Sequence, residues 1–197
     1  MSTDVFENML SRRSVGKVTQ DAVAPELIEK IIEAGTYAPA HKRTDPWRFS
    51  IFTGDGRKEL ACAMANGFAA SQQGFDGYER KLEMVSRKAF RAPVIILVWC
   101  AAARGKVNPP LWEDHAATSA CLQNMSLAAH ALGLGSVWRT SGAVNWPEVQ
   151  ALCTCENDSF DAKKGDKIMG MLYLGHKDEQ YPEPTRQPEK PQITYYT

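Results

Sequence analysis

The sequence predicts an α+β fold in which helices cover a sheet. Three observations carry this. Strand-like and helix-like stretches follow one another without the strict βαβ alternation of a doubly wound sheet. Val94–Cys100 is an unbroken apolar, β-branched run, which suits a strand buried on both faces. Residues 112–132 are small and apolar on nearly all sides, which suits a central, buried helix. The chain has 197 residues, 44% of them apolar and 23% charged, enough for one domain with a sizeable core.

The first helix should start at Asp4, with Glu7 completing a cap-like pair, and stop before Arg12-Arg13-Ser14. Val5, Phe6, Met9 and Leu10 give it an apolar face. Pro25 opens a second helix, a good first-turn residue. There Ile28, Ile31, Ile32 and Gly35 form one stripe, Glu29, Lys30 and Glu33 face water, and Pro39 ends the run. Residues 48–53 read as a strand closed by a Gly54-Asp55-Gly56 turn. Residues 57–68 are helical by pattern, and a glycine-containing stretch leads to another helix ending at Lys88. After Val94–Cys100 comes a loop with Gly105, Pro109 and Pro110. The small residues of the long helix at 112–132 allow close approach of another backbone, such as a partner subunit. Gly133 and Gly135 stop that helix. Residues 136–139 form a short strand, Asn145-Trp146-Pro147 caps a short helix to Leu152, and 168–174 is the last strand, ended by Gly175. Four of the 11 prolines lie between Pro182 and Pro191, ahead of Ile193-Thr194-Tyr195-Tyr196. Such a tail runs extended and must dock to be ordered. The chain therefore divides into a domain, 1–180, and an arm, 181–197.

Twenty-three basic residues balance 23 acidic ones. This argues against nucleic acid or an anionic membrane as partner, though not against a local site for one small anion. No window reaches the roughly 18 apolar residues of a membrane span, and the acidic N-terminus has no apolar signal core, so a cytoplasmic protein is expected. Of the five cysteines, Cys62, Cys100 and Cys121 lie in apolar stretches and read as small buried hydrophobes. Cys153 and Cys155 have no second pair at metal-ligand spacing, and the four histidines form no zinc pattern, so no metal is expected. No G-x-S-x-G elbow or cysteine-nucleophile signature is present. A chain without nucleophile, base or metal can take its chemistry from a cofactor.

Three segments are candidates for that role. Arg12-Arg13-Ser14 supplies two guanidinium forks and a hydroxyl, the donors that suit a phosphate, although a solvated charge pair at a helix C-terminus reads the same way. The loop from Ala38 to Phe49 is rich in polar and aromatic types between a helix and a strand. The segment from Gly133 to Gly142 lacks both the dinucleotide fingerprint and the P-loop spacing, so its glycines fit a turn and its backbone donors near Thr140 and Ser141 could face an anionic ring.

Taken in order, R-R-S, A-P-A-H-K-x-x-x-P-W-R-F, L-G-L-G-S-V-W-R-T-S-G and G-M-L-Y-L-G resemble the FMN-dependent nitroreductase family, in particular its short bacterial subgroup, from about Phe6 to Gly175. The resemblance implies a nitroreductase-like fold with a mostly antiparallel central sheet flanked by helices. It implies an intertwined homodimer with FMN at the interface and exchange of the C-terminal arm. It also implies NAD(P)H as donor and ping-pong reduction of nitroaromatics, quinones or similar acceptors through flavin N5, with no catalytic side chain. On the same ground Arg12 and Ser14 hold the phosphate and ribityl chain, Arg13 lies near the ring edge, and His41 reaches FMN from the opposite subunit. Tyr37 stands where relatives have an arginine near the cofactor. Trp138, Arg139, Thr140 and Ser141 line the ring, and Lys177 assists the phosphate. A flavin-binding sensor or carrier, or a flavin enzyme that dehalogenates or desaturates its substrate, would share such a pocket.

Overall fold

A computed structural model describes residues 4–72, 74–102, 104, 109–180 and 185–196. In chain order its elements are α1 (Val5–Ser11), α2 (Pro25–Thr36), β1 (Trp47–Thr53), α3 (Gly56–Ser71), α4 (Tyr78–Ser86), β2 (Val94–Cys100), α5 (Leu111–Ala131), β3 (Leu134–Arg139), α6 (Pro147–Gln150), β4 (Thr154–Cys155), β5 (Asp158–Ser159) and β6 (Lys167–His176). Four strands form one sheet in the order β1-β2-β6-β3, every pair antiparallel. β4 and β5 make a separate small hairpin.

β2 is buried at every position, and its side chains alternate between two cores. Ile95, Leu97 and Trp99 pack with Leu60, Met64 and Phe68 of α3, Val85 of α4 and Val149 of α6. Val94, Ile96 and Val98 pack on the other face with Ile28 and Ile31 of α2 and Cys121, Leu122 and Met125 of α5. The sheet is thus the middle of three layers, the α+β arrangement the sequence predicts. Each such side chain taken from water contributes about 1.5–3 kcal/mol.

The first helix is capped as expected, the Asp4 carboxylate accepting the Glu7 N–H at 3.0 Å. Its apolar face is another matter. Val5, Phe6, Met9 and Leu10 are all more than half exposed, and α1 buries no residue within the chain.

Several expectations need correction. Within the chain, a close approach to α5 is made by α2. A Cβ on Gly35 would lie 2.7 Å from Met125 Cγ and 2.9 Å from Cys121 Sγ. α5 is accordingly buried on one side, while Trp112 and Ala116 stay exposed. Gly135 does not stop the helix. α5 ends at Ala131, Gly133 turns the chain at φ 78°, and Gly135 sits inside β3. Gly175 likewise lies within β6, which continues to His176. The helix expected to reach Lys88 ends at Ser86 and tightens into a 3-10 turn, Arg87–Phe90. The short helix ends at Gln150 after a 3-10 turn, Gly142–Asn145. Cys62 is exposed, because Leu60, Ala61, Ala63 and Met64 take the inner side of α3. Cys100 and Cys121 are buried, and burial pushes their thiols up to about 11 and about 12.

Residues 185–196 form no regular element, and Ile193, Tyr195 and Tyr196 are exposed. Residues 181–184, where the arm was expected to begin, and Gly105 of the expected loop lie outside the described residues. Among the described residues no helix is long and apolar enough to cross a membrane.

Candidate cofactor site

α1 is tied to the C-terminal end of α5. Asn8 Nδ2 donates to the Leu127 carbonyl at 3.2 Å, and Ser11 Oγ hydrogen-bonds His130 Nε2 at 2.9 Å. The chain then runs extended along the edge strand β3. The Val15 N–H donates to the Ser136 carbonyl at 2.8 Å and the Thr19 N–H to the His176 carbonyl at 2.9 Å, while Val18 bridges to Lys177. Two glycines make this seat. Gly135 and Gly175 are cross-strand partners. A Cβ on Gly135 would lie 2.9 Å from Val18 Cγ1 and 3.0 Å from Val15 Cγ1, and one on Gly175 would lie 2.9 Å from Val18 Cγ2. Val15 and Val18 therefore drop into a hollow that only glycine leaves open. Arg139 closes over the same segment, its Nη2 3.2 Å from where a Gly16 Cβ would be. Arg12, Arg13, Ser14 and Arg139 are thus held on one flank of the sheet, with Lys177 further along.

This flank is cationic. Arg12 is partly buried, and its guanidinium is held below the ordinary arginine range by burial first, then by Arg186 and Arg13. Arg186 comes from the tail. Lys88 is pushed down by burial and then by Arg91, Arg139 and Lys81. Among the described residues none of Arg12, Lys88, Arg91, Arg139 and Arg186 forms an ion pair. Arg13 is otherwise occupied: its Nη1 donates to the carbonyls of Leu10 at 2.6 Å and Arg12 at 3.0 Å, which caps α1. Ser14 is exposed.

The end of β3 adds a second group of donors. A bulge between β2 and β6 leaves Met169 without a register partner on β2, and the Trp138 indole N–H donates to its carbonyl at 2.9 Å. The indole lies across Gly170, where a Cβ would come within 2.1 Å of Nε1. Thr140 is exposed. The Ser141 hydroxyl oxygen is buried and has no hydrogen-bond partner among the described residues. Unpaired cations on one side and an orphaned buried hydroxyl on the other fit a ligand carrying both a phosphate and a hydrogen-bonding body.

His41 lies elsewhere. Its Nδ1 hydrogen-bonds Glu113 Oε2 in the first turn of α5. His130 is 17 positions beyond Glu113, so at a 1.5 Å rise the end of the helix that holds His41 lies about 26 Å from the end beside Arg12. His41 lines a cavity of about 460 Å³ with Pro39, Trp112, Glu113, Ala116, Ala117 and Ala120. Tyr37, the C-cap of α2, is 80% exposed.

A model of the Nitroreductase family matches residues 9–176. That span is most of the chain. The protein belongs to the nitroreductase family. One relative is the Escherichia coli K12 protein named Putative NAD(P)H nitroreductase YdjA, 31% identical over 172 residues, which are 87% of each chain. The nitroreductase-like family protein from Bacillus cereus superposes with a TM-score of 0.77 at 27% identity, over 97% of this chain and 93% of that one. A nitroreductase-family protein from Desulfovibrio desulfuricans, solved in complex with FMN, has a TM-score of 0.65 at 27% identity, over 98% and 100% of the two chains. The four motifs therefore identified the family, and the fold they implied is the one observed.

For this nitroreductase, sequence reasoning missed four groups. Arg186 was read only as part of an arm, and nothing local marks an arginine between prolines as a neighbour of Arg12. Lys88 and Arg91 carry a signal, a basic R-K-A-F-R run directly before β2, of which the sequence reading uses only Lys88 as a helix end. Glu113 looked like an ordinary acidic residue in a helix first turn.

Proposed function

We propose that this chain is an FMN-dependent NAD(P)H oxidoreductase that works as a homodimer on nitroaromatic, quinone or similar small acceptors. The observation that carries the reading is the division of the site. The unpaired Arg12 follows the helix tied to the C-terminal end of α5, and His41 is tied to the other end, about 26 Å away along the helix. A second copy of the chain would bring His41 and the Arg12 segment of its partner to one ligand. The exposed apolar faces of α1 and of Trp112 fit burial in such an interface.

In this reading Arg12, Arg186 and Ser14 hold the phosphate, with Lys177 assisting, as charge-assisted donors. Arg139, with Lys88 and Arg91 behind it, favours negative charge on the bound ring, and Ser141 and the backbone N–H groups of residues 140–141 supply fixed dipoles there. His41 reaches across the interface. Tyr37 and the arm from 181 onward pack against the partner. Bound FMN would supply the hydride-transfer centre at N5, shared in turn by NAD(P)H and the acceptor. The side chains orient and bind, and none transfers a proton.

The test uses purified protein. Released cofactor should be FMN rather than FAD, the mass in solution should be that of a dimer, and NADH or NADPH should be consumed when a nitroaromatic or quinone is added. Colourless protein that takes up no added FMN would overturn the reading. FMN without turnover would indicate a carrier. Halide release or a desaturated product from the matching substrate would indicate another flavin chemistry.

A further inference from the structure

His41 sits in an unusual loop. Lys42, Arg43 and Asp45 have φ of 55°, 56° and 42°. Left-handed backbone costs non-glycine residues about 1–2 kcal/mol each. Two side-chain ties to the first turn of α5 hold the loop in that shape. His41 binds Glu113, and the Thr44 hydroxyl donates to Asp114 Oδ1 at 2.7 Å. Glu113 is the more buried partner, its side chain 21% exposed against 52% for His41. A carboxylate can only accept, so the shared hydrogen belongs to His41 Nδ1. Nε2 has no partner among the described residues, and the ring borders the cavity formed with Trp112 and Pro39.

We infer that Glu113 is the positioning residue of His41, fixing the Nδ1–H tautomer so that Nε2 stands at the cavity as a hydrogen-bond acceptor. In its neutral form the ring then accepts from a donor, an N–H or O–H, on whatever enters. This rests on the reading of His41 as a cofactor contact across the dimer, where the imide N–H and the ribityl hydroxyls are the donors an FMN molecule can present. Which of the two nitrogens is bare is a property of this chain's own residues and can be read without turnover.

The experiment is a long-range ¹H–¹⁵N correlation on histidine-labelled protein above the pH at which ring titration is complete, with His41 assigned by loss of its signals in His41→Gln. The wild type and Glu113→Gln should show Nδ1 protonated and Nε2 bare, since the amide oxygen still accepts. Glu113→Ala should move the ring to the Nε2–H form. In parallel, FMN titration should give a Kd raised about tenfold in Glu113→Ala and less than about threefold in Glu113→Gln. An Nε2–H ring in the wild type, a tautomer unchanged in Glu113→Ala, or equal FMN loss in both variants would each overturn the assignment. Failure to bind FMN in every protein would sink the cofactor reading, while the tautomer result would still decide the role of Glu113.

Discussion

The seat beneath the arginine segment can be tested by adding one methyl group. In Gly135→Ala the new Cβ meets Val18 Cγ1 at 2.9 Å, Val15 Cγ1 at 3.0 Å and Val15 Cβ at 3.3 Å. All are tighter than ordinary carbon contacts, and both valines are stiff at χ1. Overpacking of this kind costs about 1–3 kcal/mol. Loss of glycine's freedom in the unfolded chain offsets about 0.4–1 kcal/mol of it. The net expectation is about 1–2 kcal/mol, or roughly 2–8 °C in Tm for a domain of this size. The strain is relieved by lifting Val15 and Val18 off β3, which moves Arg12 and Ser14, so FMN affinity should fall with stability. The assay is thermal and urea unfolding together with FMN titration. Gly142→Ala is the control, because nothing lies within 4 Å of its Cβ position and its φ is not positive. Adding Val18→Ala to Gly135→Ala should be less harmful than the two single changes summed. Strict additivity, or a Gly135→Ala protein as stable and as flavin-tight as wild type, would show that the segment is not held by this contact.

Other perturbations bear on separate features. Arg12→Ala should weaken FMN binding by roughly tenfold to a hundredfold, the loss of a charge-assisted contact of about 1.5–3 kcal/mol, with turnover largely recovered at saturating FMN. Arg186→Ala should act in the same direction, and more weakly at high salt because the tail is exposed. An Arg186 variant with wild-type affinity at low salt would remove it from the site. Asp166, whose carboxylate is fully buried, accepts from the Ala102 N–H at 2.9 Å, Arg104 Nη2 at 2.6 Å and the Asp161 N–H at 2.7 Å. Asp166→Ala should cost about 3–5 kcal/mol in urea unfolding, since three donors lose their acceptor, and a loss under about 1 kcal/mol would contradict this. A thiol reagent should label Cys62 and Cys155 in the native protein and leave Cys100, Cys121 and Cys153 until it is denatured. Burial raises those three thiols to about 11, 12 and 12. As pH rises through the ordinary thiol range the unfolded chain ionises and the native one does not, so this contribution to stability is present below that range and falls above it.

What the sequence made legible is what local pattern controls. β2 could be read because a strand buried on both faces must be apolar at every position. α2 could be read because its stripe and its Pro25 start are local. Arg12 and Ser14 could be picked out as candidates because donor chemistry belongs to the residues themselves. The glycines show where such reading stops. Gly135 stands one turn past a helix, and local pattern makes it a stop signal. Its actual constraint is the room left for Val15 and Val18, more than a hundred positions earlier. Cys62 failed for a related reason: an apolar neighbourhood does not say which side of α3 a residue takes. The face of α1 was read correctly as apolar and yet is unburied within the chain, a burial that local pattern does not decide. The same holds for His41 and Arg12. Each motif is legible, but only the length of α5 shows how far apart the two lie within one molecule. The fold sets the distance between them, and that distance supports the proposal of a second copy of the chain.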